Sequence, residues 1–303
     1  MLSGELAAEA PGGSRSKNIQ NQNCISSKGY LKRACNDSRA EYRTYLEFFE
    51  AGERKRRWSV FDDIPWDKLD PSRNSERKAL CIETFCAEEC YLPDYSANGL
   101  QLVRSTFGAA WFQACWTYEE SKHGLVLREY LTRSGMRSEA DFADFEDRLF
   151  AERWRLPFDT ARKMAMYGAL QEGATLLAYR AQRDRAELEG DDVLEAIFAY
   201  LSRDEAAHAD FYRAVVQIEL SENRANTLAD FAYVLSRFKM PGDGLIPDYR
   251  ERLRSSGAGI SRRLFLERVV MPFFSLLDTS RDELKFLHKN FAPPRDGARE
   301  LEG

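Results

Sequence analysis

The stretches "WTYEESKHGLVL" (residues 116–127) and "LSRDEAAHADFY" (residues 201–212) decide the fold of this chain. Each holds an acidic pair followed by a histidine: Glu119-Glu120-x-x-His123 in the first, Asp204-Glu205-x-x-His208 in the second. The copies stand 85 residues apart and use two of the three histidines in 303 residues. Glu and His three apart point to the same side of an α-helix. Both pairs also interrupt apolar stripes: Phe112, Trp116 and Leu127 around the first, Ile197, Leu201, Tyr212 and Val215 around the second.

Helical periodicity extends outward from these two segments. It predicts long helices over 74–104, 106–133, 158–188 and 191–220, with shorter ones over 138–152, 225–239 and 261–288. Another begins in "RAEYRTYLEFFEAGERKRR" (39–57). In the first long helix Pro93 is expected to kink the helix without ending it. "WSVFDDIPWDKLDPS" (58–72) and "MPGDGLIPD" (240–248) read as loops. Strand-like alternation is nearly absent. Four long helices with mostly short links favour an antiparallel bundle. Residues 1–40, rich in Gly, Ser, Asn and Gln, read as an N-terminal tail and 291–303 as a C-terminal one, which leaves 41–290 as a single helical domain.

Composition removes several alternatives. Net charge is −5 with 31% charged residues, which lacks the basic excess of a nucleic-acid binder. No apolar run approaches the roughly 18–20 residues of a membrane span. The N-terminus carries Glu5 and Glu9 and no apolar core, unlike a secretory signal. Six cysteines form no C-x-x-C pair; they read as reduced, mostly buried thiols of a cytoplasmic protein.

The helix faces raise an electrostatic problem. Glu89 and Glu172 interrupt the apolar faces of the other two long helices, singly. Four carboxylates aimed at one core repel one another, and each loses hydration. Two divalent cations neutralise them. Oxygen-rich ligation with one imidazole per ion suits iron or manganese better than zinc or copper. The order is Glu89, Glu120/His123, Glu172, Glu205/His208, with 31 residues from Glu89 to Glu120 and 33 from Glu172 to Glu205. A helical hairpin used twice gives such intervals, and this donor set is the one that dimetal carboxylate bundles use. Glu119 and Asp204, four before each histidine, could ligate in place of their neighbours. His288 has no such company and reads as structural or exposed.

At these residues the chain resembles the soluble acyl-ACP desaturases (ACP, acyl carrier protein), ferritin-like di-iron enzymes. "WTYEESKHG" is similar to that family's W-T-x-E-E-x-x-H-G, "QEGATLL" (171–177) to its Q-E-x-A-T and "DEAAH" (204–208) to its D-E-x-x-H. "EECYLPDY" (88–95) matches E-x-x-L-P-x-Y when anchored on Leu92 and Pro93, which selects Glu89 over Glu88. "WSVFDDIP" resembles W-x-P-x-D-x-x-P, with Val60 in place of the first proline. The resemblance covers about 58–240. It implies a ferritin-like four-helix bundle with additional flanking helices and two ferrous ions ligated by Glu89, Glu120, His123, Glu172, Glu205 and His208. It implies Thr175 beside the metals in oxygen activation, and Trp58, Asp204 and His123 as a route to them from the surface. It further implies a homodimer that takes electrons from ferredoxin and desaturates an acyl chain on ACP. The chain departs from the family at Gly173, where the plant enzymes have a larger basic residue, and in a shorter stretch between the first two ligand helices.

Trp111, Phe112, Trp116, Tyr179 and Phe211 are candidates for channel walls beside such a centre. "ERKRR" (53–57), "RLRSS" (252–256) and "SRRLFLER" (261–268) are candidate docking patches for an acidic carrier. Two rival functions keep the metals: hydroxylation or N-oxygenation of a small or carrier-bound substrate, and iron storage. Storage explains the length of the chain and the helices after residue 225 less well.

Overall fold

The computed structural model of the chain describes residues 39–291, with side chains through 286. Most of the two expected tails, Cys24, Cys35 and the His288 side chain lie outside them. Among the described residues there are helices and no strands. A first helix, α1, covers 39–51 and runs into a π turn at Gly52–Arg56. Four further helices carry the motifs: α2 (Glu76–Glu89), α4 (Phe107–Arg133), α6 (Ala161–Glu189) and α7 (Asp192–Glu222). Between and after them come α3 (Leu92–Val103), α5 (Glu139–Phe150), α8 (Arg224–Arg237) and α9 (Tyr249–Ser256). The chain ends in α10 (Arg262–Phe265), a π turn at Leu266–Val270, α11 (Met271–Leu276) and α12 (Arg281–Phe291).

The bundle consists of two hairpins, α2 with α4 and α6 with α7, joined by contact between α4 and α7. The α6–α7 turn is the tightest link. Gly190 ends α6 with φ +67°, a left-handed conformation that glycine adopts without strain. Asp191 then caps α7, its Oδ1 accepting from the Leu194 N–H at 3.1 Å. Its other oxygen accepts from Lys78 Nζ of α2 at 2.7 Å and from the Tyr130 hydroxyl of α4 at 2.6 Å. This one buried carboxylate ties together all four bundle helices at one end. At the level of the motifs α2 and α4 approach closely over Gly124, where a Cβ would stand 3.2 Å from that of Glu89.

Two expected helices are interrupted. The segment 74–104 is α2 and α3, broken at Cys90–Tyr91. Proline at the start of α3 lacks the N–H that would bond back to Glu89, and its ring crowds that carbonyl, so α2 ends there. The segment 261–288 is α10, a π turn and α11, followed by a break before α12. The expected loop at 240–248 is followed by α9, a two-turn helix too short to show periodicity. Gly257, at φ +71°, stops it.

Candidate metal centre

Glu89, Glu120, His123 and Glu205 bring one ligand atom each within 4.8 Å of one another, and so do Glu120, Glu172, Glu205 and His208. The two groups share Glu120 and Glu205. Each therefore has a carboxylate of its own, an imidazole of its own and two carboxylates in common, a donor set that would hold two adjacent cations. The Nδ1 of His123 lies 2.8 Å from Glu120 Oε2 and 3.5 Å from Glu205 Oε1. The Nδ1 of His208 lies 3.0 Å from Glu120 Oε1 and 3.9 Å from Glu172 Oε2.

The cluster is buried, with both histidines at 0% exposure. Yet Glu120 Oε1, Glu172 Oε2, Glu205 Oε2 and both histidine Nδ1 atoms make no hydrogen bond. Buried polar atoms are rarely left so, and unpaired atoms that converge on one point fit bound cations. Burial lifts Glu89, Glu172 and Glu205 above the usual carboxylate range, and the nearby charge of Glu120 adds to it. Burial acts on Glu120 too, but His123 and His208 override it and hold that carboxyl well down. His208 is pushed up to about 10 against burial by Glu119 and Glu120. Without cations such a cluster must retain protons.

The outer faces of the imidazoles look onto carboxylates of the opposite helix, in a hydrogen bond at His208 and a longer approach at His123. Glu119 on α4 lies 2.9 Å from Nε2 of His208 on α7, and Asp204 on α7 lies 3.5 Å from Nε2 of His123 on α4. The residue before each shared glutamate thus supports the histidine of the opposite helix and points away from the cluster. One step along a helix turns a side chain by about 100°, which separates the two roles. Arg56 joins the two outer carboxylates, its guanidinium 3.2 Å from Glu119 and 3.3 Å from Asp204. The Trp58 indole N–H donates to Asp204 at 2.7 Å, and its ring stacks on Tyr200 at 5.0 Å. Asp204 is held down to about 2: burial raises it, but His123, His208 and the indole donor outweigh that. The unshared glutamates have aromatic donors, Tyr179 hydroxyl to Glu89 at 2.5 Å and Trp116 indole to Glu172 at 3.1 Å.

A cavity of about 110 Å³ reaches the cluster, with Glu89, Glu120, Glu205 and Thr175 in its wall. It follows α4 back to Thr106, some 14 residues or about 21 Å along the helix. Phe112, Trp116 and Phe211 line it, as expected. Trp111 does not: it is 53% exposed on the opposite face of α4. Tyr179 serves Glu89. Thr175 is buried at the wall with its hydroxyl donating to the Gln171 carbonyl at 3.2 Å.

The sequence reading missed Arg56. It stands in "ERKRR", a run taken for a docking patch, yet it is buried, with its guanidinium 4.6 Å from the Phe48 ring. That patch is therefore reduced to Arg54, Lys55 and a half-buried Arg57. The departure at Gly173 has a physical reason: a Cβ there would lie 3.1 Å from Val269, because the second π turn packs over that position.

The sequence profile described as fatty acid desaturase matches residues 79–255. The acyl-ACP desaturase DesA1 of Mycobacterium tuberculosis is 28% identical over 242 residues, covering 71% of this chain and 69% of that one. Acyl-ACP desaturase 7, chloroplastic, of Oryza sativa is 28% identical over 181 residues, covering 57% and 45%. Among solved structures, the acyl-ACP desaturase DesA2 from M. tuberculosis superposes with a TM-score of 0.59 at 19% identity, covering 83% and 99%. The R2-like ligand-binding oxidase from Sulfolobus acidocaldarius superposes at 0.53 with 14% identity, covering 80% and 94%. These two likenesses concern the fold, which is ferritin-like. The matched span includes all six residues of the cluster, and through it the chain belongs to the fatty acid desaturase family.

Proposed function

We propose that this protein is an O2-dependent desaturase that introduces a double bond into a saturated fatty-acyl chain carried on ACP, with electrons from ferredoxin. In this reading Glu89, Glu120, His123, Glu172, Glu205 and His208 hold two ferrous ions. When bound, the ions would supply two-electron activation of dioxygen and removal of two hydrogens from adjacent carbons. The observation that carries the reading is the cavity whose wall combines a row of α4 residues with the carboxylates Glu89, Glu120 and Glu205 of the cluster. An extended chain threaded there meets the centre side-on, and its mainly apolar wall keeps bulk water away.

The remaining roles follow from position. Trp58, Asp204 and His123 would serve as a route to one metal site, the Trp58 indole bonded to Asp204 at 2.7 Å and His123 Nε2 lying 3.5 Å from that carboxylate. The Thr175 hydroxyl, on the cavity wall among Glu120 and Glu205, can turn to hold a proton between the centre and the substrate. Tyr179 and Trp116 fix one oxygen each of Glu89 and Glu172, which leaves the other oxygen of each for a cation. The reading includes a homodimer and a cytoplasmic location.

A second reading, insertion of oxygen into a small or carrier-bound substrate, draws support from Gln113, Gln171, Tyr95, Tyr167 and Tyr212, which give the cavity a polar side. One assay separates the readings. Iron-loaded protein is incubated with ferredoxin, its reductase, oxygen and stearoyl- or palmitoyl-ACP, and product mass is followed. Loss of two hydrogens supports desaturation and gain of oxygen supports the second reading. Mineralised iron without product supports storage and rejects both.

A further inference from the structure

The wall of the cavity beside the cluster holds six carboxylates and, among the described residues, no lysine, arginine or histidine. Glu89, Glu120 and Glu205 belong to the cluster. Glu219 is paired with Arg162 at 3.3 Å, and Glu41 packs against Gly108, about three turns of α4 from Glu120. That leaves Glu88, which precedes Glu89 on α2 and belongs to neither metal group. It is half-buried and lines the cavity. Its partners are neutral. The Tyr249 hydroxyl of α9 donates to its Oε1, and the Gly242 backbone N–H approaches the same carboxylate. These neighbours also fix its orientation: a Cβ at Gly242 would stand 2.6 Å from the Tyr249 ring and 3.0 Å from Glu88 Oε1. Tyr95 and Tyr167 share the wall but donate elsewhere, to the main-chain carbonyls of Glu88 at 3.0 Å and Lys239 at 3.2 Å.

A carboxylate can accept about four hydrogen bonds, so Glu88 keeps capacity for a donor that arrives through the cavity. Ionised or not, it offers an acceptor oxygen. An unbranched hydrocarbon brings no donor. Packed against Glu88 it would strip water from the carboxylate and return nothing, which is how a site built to bond a polar group rejects analogues that lack it. An anionic group fares no better, because the wall holds no cation to receive it. We propose that the substrate chain carries a hydrogen-bond donor, a hydroxyl or an ammonium, and that Glu88 receives it and so selects which chains are held. The inference rests on the cavity being the substrate site of the proposed desaturase, and it narrows the acyl chain to one bearing such a group. Neighbouring positions on α2, about 100° apart around the helix, then divide the work: Glu89 serves the cluster and Glu88 the substrate. A donor bound there would also fix the position of the chain close to the centre.

Isothermal titration calorimetry on the iron-loaded full chain tests this with three probes of equal size: 1-octanol, octylamine and heptyl methyl ether, which has an oxygen but no donor. At least one donor probe should bind about tenfold more tightly than the ether. Tighter octanol identifies a hydroxyl and tighter octylamine an ammonium. Glu88→Leu should abolish the preference. Glu88→Gln, which keeps an acceptor oxygen, should retain it for octanol and lose it for octylamine. The ether bound as tightly as both donor probes, no binding of any probe, or a preference that survives Glu88→Leu with helical circular dichroism unchanged, would overturn the inference. The measurement needs no turnover, so donor-selective binding without desaturated product would count against the reaction and leave the role of Glu88 standing.

Discussion

Arg56 holds together the part of the centre that no motif announces. Its guanidinium lies between Glu119 and Asp204, and each of these supports an imidazole. Removing it leaves two buried carboxylates short of their countercharge. Arg56→Met is expected to destabilise the metal-free protein by about 3–5 kcal/mol, with Arg56→Lys losing less; denaturant unfolding of the two variants checks this. The six cluster residues were legible in the sequence because a helix repeats and both motifs used scarce histidines. Arg56 was not, because a basic run reads as solvent-facing until the π turn beneath it is seen. Nor could spacing alone separate Glu119 from Glu120. A further expectation follows from the sharing of Glu120 and Glu205 between the two groups. Glu89→Ala should lose about one ion per chain, whereas Glu120→Ala or Glu205→Ala should deplete both, as read by metal analysis of folded protein. The cluster also predicts proton release. Burial raises Glu89, Glu172 and Glu205, which favours their protonated forms, and a cation must displace the protons they hold. Apparent metal affinity should therefore rise with pH, with protons released on binding. Calorimetry in buffers of different ionisation enthalpy measures both, and a pH-independent affinity would contradict the assignment.

At the scale of elements, the α6–α7 turn shows how local chemistry sets the position of ligands many residues away. Gly190 and Asp191 stop one 29-residue helix and start another of 31 residues. Asp191 also fixes α2 and α4 through Lys78 and Tyr130. Asp191→Ala removes a cap, leaves the buried Tyr130 phenol without its acceptor and leaves Lys78 only the longer pair with Glu189 at 3.4 Å. A loss of about 2–4 kcal/mol is expected, seen as a lower unfolding midpoint with the helix content unchanged. The "GDD" sequence at this turn marks a helix start plainly, and both helices were read from it to within a few residues. The breaks at Cys90–Tyr91 and at 277–280 were less legible. Apolar periodicity runs across both, and only backbone geometry shows that Pro93 begins a helix instead of bending one.

For the whole molecule, the four-helix arrangement was readable from the doubled motif, while the cavity was not. Its course depends on how α3, α4, α6 and α7 face one another, and periodicity gives a helix its inner face without giving it a neighbour. That is why Trp111 and Phe112, adjacent in sequence, fall on opposite sides of α4. The family match and the fold agree with the arrangement, and the chemistry turns on what the cluster holds. X-ray diffraction from crystals of the iron-reconstituted protein, recorded on both sides of the iron absorption edge, tests that most directly. Two adjacent anomalous peaks are predicted, both between the carboxylates of Glu120 and Glu205, one toward Glu89 and His123, the other toward Glu172 and His208. A single peak, or iron bound away from these six side chains, would contradict the account.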